Sequence, residues 1–243
     1  LVEKLQGLLN NSPYTLLADY FDEDTDEVLR AITLCAEKKP QGILFLGGNA
    51  DNFRQSFGRI ALPAVLVTSP AEGLEFPNLS SVTTDDFEAS VQAVQVLLDR
   101  GHRHIAIIGG RPSFSDVSGE RFAGGRAAFA QSGLPVENLV EYGEARFCYE
   151  EGYQAMQHVL AEHPEITAAY AIADVVAIGA MRAAQDAGRT VGKDLSIIGF
   201  DGLALGEYLT PRLATIGQSV ERLAQEATAT LLDAIETGAP ARR

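Results

Sequence analysis

One pattern recurs along this chain and limits what it can fold into. A short, wholly apolar run is followed by a longer segment with helical spacing. The runs are QGILFL (Gln41–Leu46), PAVLVT (Pro63–Thr68), HIAII (His104–Ile108), Ala168–Ala173 and LSIIGF (Leu195–Phe200). Strands that read as continuous apolar runs, without polar alternation, are buried on both faces, as in parallel sheets with helices on each side. Weaker strands are expected at Tyr14–Tyr20, Ser80–Thr84, Leu139–Gly143 and Leu213–Gln218. Helices are expected from Asp24-Thr25 to Lys39, over Asp51–Arg59, and over Phe87–Arg100 behind a cap at Asp85 or Asp86. Further helices are expected from about Gly119 to Ser132, over Glu150–His163, from an Asp174 cap to Ala187, and over Val220–Thr237. Pro40 and Pro164 stop two of these helices, and Gly101, Gly133 and Gly188 close three others. The βα units are too many for one small open sheet. The expected fold is therefore α/β, with two parallel-sheet lobes that divide near Gly110–Pro112, pack closely and leave a cleft between them.

Composition excludes several function classes. With 19 Lys and Arg against 33 Asp and Glu, the formal net charge is −14. Nucleic-acid binding by this stretch is not expected, because phosphate neutralisation needs a basic surplus on some face. A hydrophobic share of 46% is that of a globular chain, not a disordered one. No apolar run reaches the ~18 residues that would span a membrane. Leu1–Gly7 has no basic stretch leading into a signal-type apolar segment. Cys35 and Cys148 read as the reduced thiols of a cytoplasmic protein.

Catalytic motifs do not emerge. No serine sits in a GxSxG elbow, and no GxxxxGK[ST] loop occurs. His102, His104, His158 and His163 lack metal-ligand spacing. An enzyme, a metal and a cofactor are all unexpected. The informative residues lie instead at strand ends, since ligands of open parallel sheets bind beyond the carboxyl ends of the strands. Thr68 and Ser69 end one strand, and the loop with Ser113 and Phe114 follows another. Asp174 and Asp201 follow two more, Arg121 opens the helix after Gly109-Gly110, and Phe147 adds an aromatic. Carboxylates that accept paired hydroxyls, a guanidinium fork that donates, and a ring for the apolar face together suit a sugar or other polyol. Each residue also has a plainer reading: Asp174 and Asp85-Asp86 as helix caps, Phe147 as core, Asp201 as a turn residue.

Several longer segments make the chain recognisable. They are RGHRHIAIIGG (Arg100–Gly110), SGERFAGG (Ser118–Gly125), CYEEGYQAM (Cys148–Met156), ADVVAIGAMRAAQDAG (Ala173–Gly188), VGKDLSIIGFDGL (Val191–Leu203) and TPRLATIGQ (Thr210–Gln218). In this order the chain resembles the effector-binding region of LacI/GalR-type bacterial transcription regulators, relatives of the periplasmic sugar-binding proteins. The resemblance implies a type I periplasmic-binding-protein-like fold. One lobe would comprise residues 1–110, joined by 219–237, and the other residues 111–218. It further implies that Arg121 is the main effector anchor, that Asp201 accepts paired hydroxyls, and that Phe147 packs against the ligand. Asp174 matches the family's Asn-Asp. Ala173 replaces the Asn, which removes one polar contact and fits a smaller or differently decorated effector. Thr68 and Ser69 match the first-lobe strand end facing the cleft, and Gln218 lies at the last crossover strand.

On this resemblance the chain starts after the family's helix-turn-helix, hinge helix and first central strand, with Leu1–Asn11 as the end of the following helix. It stops before the last strand and basic tail. A trimmed piece is expected, with unpaired strand edges in the first lobe, which are costly. The implied function is allosteric: a small effector, most often a sugar, binds between the lobes of a homodimer and changes operator binding through a DNA-binding head absent from this chain. The rival reading is a free solute-binding receptor of a sugar transport system.

Overall fold

The computed structural model describes residues 1–10, 12–22, 25–110 and 117–238. The chain forms two compact units. One comprises Leu1–Thr84 with the stretch from Ser219 onward, and the other is built from the stretch that begins at Asp85 and from Ser118–Gln218. The second unit thus begins at Asp85, ahead of the division expected near Gly110. The reason is packing: the helix that starts there lies on strands of the second sheet.

In the first unit three parallel strands, β1 (Ile43–Leu46), β2 (Ala64–Val67) and β3 (Leu79–Val82), stand in the order β1-β2-β3. All four residues of β2 are buried. Alternate side chains serve opposite faces of a strand. Ala64 and Leu66 join Val28, Phe45, Phe53, Phe57 and Leu79 on one face. Val65 and Val67 meet Leu223, Ala227 and Leu231 of the last helix on the other. The first face is supplied by α2 (Glu27–Lys38) and α3 (Ala50–Ser56). There Phe45 packs edge to face on Phe53, with centroids 4.9 Å apart, and Phe53 stacks on Phe57. Helix α1 (Val2–Leu9) packs on α8 (Val220–Thr237).

Helix α2 starts behind Asp26, whose carboxylate accepts the backbone N–H groups of Val28 and Leu29. Of the expected start at Asp24-Thr25, Asp24 lies outside the described residues, and the cap falls two residues later. The strand expected at Tyr14–Tyr20 is not formed. Leu17 and Tyr20 are 64% and 78% exposed. Strand sequence needs a ladder to hold its backbone groups. Among the described residues β1 pairs with β2 alone, so no ladder reaches this segment.

The second unit carries five parallel strands in the order β5-β4-β6-β7-β8. They are β4 (Ile105–Ile108), β5 (Leu139–Tyr142), β6 (Ala168–Ala171), β7 (Ser196–Asp201) and β8 (Ala214–Gly217). Strands β4 and β6 are buried throughout. Ile105, Ile107 and Tyr170 face the helices α4 (Asp86–Asp99) and α5 (Val117–Gln131), meeting Ala93, Val94, Leu97, Phe122 and Phe129. Ala106, Ile108 and Ala169 face α6 (Tyr149–Glu162) and α7 (Asp174–Asp186), meeting Met156, Val159, Val176 and Ala180. Helices α6 and α7 approach closely because each gives up a side chain at the crossing. A Cβ on Gly179 would strike the carbonyl oxygen of Tyr149, and one on Gly152 that of Val176. At the opposite end of the strands His102 bridges Thr167 and Ser196 through its two ring nitrogens, at 3.0 and 2.9 Å. Among the described residues no helix is long and apolar enough to cross a membrane.

The strand order places the functional region. The chain lays β5 on one side of β4 and β6 on the other. The order in which strands are added therefore reverses between β4 and β6, and open α/β sheets bind ligands beyond the carboxyl ends of the strands near such a switch point.

Candidate functional site

Two acidic residues open α4 and divide the work. Asp85 is the cap: its Oδ1 accepts the N–H of Glu88 at 2.9 Å. Asp86, the first helical residue, is thereby free to turn inward, and it is 5% exposed. Its partner is Arg121, on the second turn of α5 and 3% exposed. Nε of Arg121 donates to Asp86 Oδ1 at 2.7 Å, and Nη1 donates to the carbonyl of Ile172 at 2.7 Å, beyond the end of β6. The guanidinium lies over the Phe200 ring, 3.8 Å from its centroid, a favourable cation–π arrangement. Ser90 ties this pair to the sheet, donating to the Asp86 carbonyl and sharing a 2.7 Å hydrogen bond with the Tyr170 hydroxyl.

Asp201 ends β7 on the open side of this cluster. Its Oδ1 stands 3.5 Å from Arg121 Nη1 and accepts from Gln218 Nε2 at 2.8 Å. The backbone N–H of Gln218 donates to the Asp201 carbonyl at 3.1 Å. Asp201 has φ of 121°, a region that favours glycine. Strain of this kind, about 1–3 kcal/mol, persists where the surroundings hold it, and it concentrates at functional sites. The Asp201 side chain keeps 28% of its surface exposed while Arg121 keeps 3%.

Asp174 is buried beneath this group. The expected cap role is corrected by the structure: Ala173 occupies the cap position without a side-chain bond, and Asp174 is the first helical residue of α7. Its Oδ2 accepts the N–H of Leu203 at 2.6 Å and so fixes the turn after β7. Gly199 of the Gly-Phe-Asp run is explained by this neighbour, since a Cβ there would collide with Asp174 Oδ1. Burial raises the Asp86 carboxyl above the usual carboxylate range, with Arg121 pulling it back. The same balance of burial against Arg121 and Gln218 raises Asp201. Burial, reinforced by the charge of Asp201, raises Asp174. Burial also holds the Tyr170 hydroxyl above its ordinary value, so it stays neutral and serves as a hydrogen-bonding group.

Of the residues expected at a site, Arg121, Asp201 and Gln218 are therefore bonded together, while Asp174 holds the turn after β7 through Leu203. Phe147 is half-buried and packs against the apolar clusters on both faces of the second sheet. Thr68 and Ser69 belong to the first unit, at the end of β2. Thr68 has φ of 68° and donates its N–H to the carbonyl of Val82, and Ser69 is buried. Ser113 and Phe114 lie outside the described residues. Asp86, Ser90 and Tyr170 were not foreseen as site residues. The doubled acid at the start of α4 was the available signal for Asp86, because a helix needs only one cap. Among the described residues no group of His, Cys, Asp or Glu is arranged to hold a metal ion. Cys35 and Cys148 are free thiols.

Comparison with known proteins fits this geometry. The family pattern described as a periplasmic binding protein-like domain matches residues 94–243. Catabolite control protein A of Priestia megaterium is 30% identical over 219 residues, which cover 90% of this chain and 65% of that protein. The HTH-type transcriptional repressor PurR of Yersinia pestis (strain Pestoides F) is 30% identical over 243 residues, 96% of this chain and 68% of that protein. A solved regulatory protein of the LacI family from Chloroflexus aggregans superposes with a TM-score of 0.79 at 28% identity, covering 98% of this chain and 84% of that one. The chain belongs to the LacI family of transcription regulators. Its fold is the periplasmic-binding-protein-like α/β fold of LacI-family effector domains, and its relatives regulate transcription and are not enzymes. A LacI-family regulator from Enterococcus faecium, solved with bound ribose, shares the fold with a TM-score of 0.81 at 23% identity, covering 98% of this chain and 85% of that one. This LacI-family chain spans about two thirds of the length of the two curated relatives, 65% and 68%.

Proposed function

We propose that this chain is the effector-sensing part of a cytoplasmic, homodimeric LacI-type regulator, and that it binds a sugar or related polyol at the Arg121–Asp201–Gln218 cluster. The observation that carries the reading is the convergence of these three side chains beyond the carboxyl ends of β7 and β8, with Asp201 partly open and its backbone at φ 121°. Carboxylate and guanidinium offer the acceptor and the fork donor that a polyhydroxylated ligand uses. Phe147 would supply an apolar face, and Asp174 the floor of the site. Thr68 and Ser69 from the first unit, with Ser113, would complete the contacts. Operator binding belongs to the whole protein, through a helix-turn-helix head. The effector controls it only by binding one arrangement of the two units better than another, because equal affinity shifts nothing.

The test is a thermal-shift panel of sugars, sugar phosphates and nucleosides, starting from ribose, the compound bound in the Enterococcus faecium regulator. One class of compound is expected to raise the melting temperature of the wild type, and Asp201→Ala is expected to abolish the rise. Arg121→Lys, which keeps the charge but loses the fork, is expected to weaken it by about tenfold or more in affinity. Equal shifts in wild type and both variants would show that the ligand binds elsewhere.

A further inference from the structure

Among the described residues the chain passes from one unit to the other between Thr84 and Asp85, between Val117 and Ser118, and between Gln218 and Ser219. The first and last of these joints are short. Residues 83–85 alone separate β3 from α4, and residues 218–219 alone separate β8 from α8. Both run into a capped helix start: Asp85 accepts the N–H of Glu88, and Ser219 accepts that of Arg222. Hinges are a few element-terminal residues of this kind, which absorb the change in backbone angles. Whatever fixes such a residue fixes the joint.

Residues beside all three joints meet inside the second unit. Asp86 is the first residue of α4, Arg121 lies within one turn of Ser118 on α5, and Gln218 stands at the last joint itself. Asp86 and Arg121 form a tight half, 2.7 Å apart and both buried. Gln218 and Asp201 form the other half and are joined twice, by the Gln218 amide at 2.8 Å and by its backbone N–H at 3.1 Å. Between the halves stands the Arg121–Asp201 pair at 3.5 Å, near the outer limit of a hydrogen bond.

We infer that the Arg121–Asp201 pair is a latch that couples the last joint to the first two, so that loosening one loosens the others. The coupling follows from the shape of the guanidinium. It is a rigid plane that holds Asp86 through Nε and Asp201 through Nη1, so a shift of either carboxylate tilts the fork against the other. The Ile172 carbonyl, 2.7 Å from Nη1, and the Phe200 ring, 3.8 Å from the guanidinium carbon, restrain that tilt. The long, partly exposed contact gives way before the short, buried one. A molecule bound at Asp201, as proposed above, would act on this contact first. The latch is built from the chain's own residues and stands whether or not the site takes a polyol.

Amide hydrogen exchange, followed by NMR on the whole chain without added ligand, tests the latch. Two reporters sit at the outer joints: the Ala89 N–H, bonded to the Asp85 carbonyl, and the Gln218 N–H, bonded to the Asp201 carbonyl. Rates are taken relative to the amides of β4 and β6, so that a general loss of stability divides out. Asp86→Asn alters the group beside the first joint, and Gln218→Ala alters the last. Coupling between two sites is reciprocal. Asp86→Asn is therefore expected to speed exchange at Gln218, and Gln218→Ala at Ala89, each by about fivefold or more. Faster exchange confined to the joint that carries the substitution overturns the latch. Arg121→Lys keeps the charge but loses the fork, and it is expected to speed both reporters together. One reporter moving alone, or neither, overturns the latch as well. Should Asp86→Asn not fold by circular dichroism, Gln218→Ala and Arg121→Lys decide the matter alone.

Discussion

Each unit of the molecule carries a doubled acid at the start of a helix, and the two are used differently. Asp26-Glu27 opens α2 in the first unit, and Asp85-Asp86 opens α4 in the second. In both, the first acid caps the helix and the second, in helical conformation, is buried. Glu27 is 7% exposed, and its two oxygens accept from the backbone N–H of Asn49 at 2.6 Å and the Asn52 amide at 2.7 Å. Those donors are neutral and local to the turn after β1, so the interaction closes on itself and shapes a loop. Asp86 instead meets a guanidinium that reaches on to Asp201, a residue partly open to solvent. The same local code thus ends in structure in one unit and in a candidate site in the other. The partner makes the difference: the guanidinium reaches a second carboxylate, whereas the two neutral donors on Glu27 belong to one loop.

The comparison is tested most severely by removing the partner. Arg121→Met leaves Asp86 buried and unpaired, which is expected to cost about 3–5 kcal/mol. Glu27→Gln keeps one acceptor but sets an amide N–H₂ against a donor, for a cost of about 1–3 kcal/mol. Chemical denaturation gives the totals, and amide hydrogen exchange over α4 and α2 locates them. A smaller loss for Arg121→Met than for Glu27→Gln would mean that the charged pair does not hold its unit together more firmly than the neutral one. The caps come next. Asp26→Ala and Asp85→Ala are each expected to cost about 1 kcal/mol, since each removes a side-chain acceptor from first-turn N–H groups. If only one of the two substitutions is destabilising, the parallel between the helix starts fails at its first member.

The fold was legible where burial is set along the chain itself. The continuous apolar runs at β1, β2, β4, β6 and β7 gave parallel strands in place, and the Gly and Pro stops bounded the helices within a few residues. Tyr14–Tyr20 was misread because a strand depends on its neighbour, and local sequence shows only willingness to pair. The second compact unit begins at Asp85 because α4 packs on strands that arrive later in the chain, which local sequence does not show. Family motifs single out Arg121, Asp201 and Gln218, and the structure brings these three side chains together. Asp86 was hidden behind its own cap reading. Tyr170, inside an apolar run, gave no sign that its hydroxyl meets Ser90, which stands 80 positions earlier.

The smallest effect probes charge within the second unit. Burial holds the Asp201 carboxyl above the usual range even with Arg121 and Gln218 lowering it. A carboxyl raised in the folded state binds its proton more tightly there than in the unfolded chain. Its stabilising contribution is present at acid pH and is lost as the pH climbs from the unfolded value, about 3.9 for Asp, through the folded one. Asn at this position cannot titrate. The stability of Asp201→Asn minus that of wild type is therefore expected to rise with pH across this window and to level off once wild-type Asp201 is fully ionised. His102, held below its ordinary pKa by burial and by the nearby Arg100 and Arg103 charges, titrates in both proteins and cancels in the difference. Urea denaturation at a series of pH values from about 4 to 7 supplies the curve. A flat difference would mean that burial does not raise the Asp201 carboxyl, and the contrast between the closed contact of Glu27 and the partly open Asp201 would then be lost.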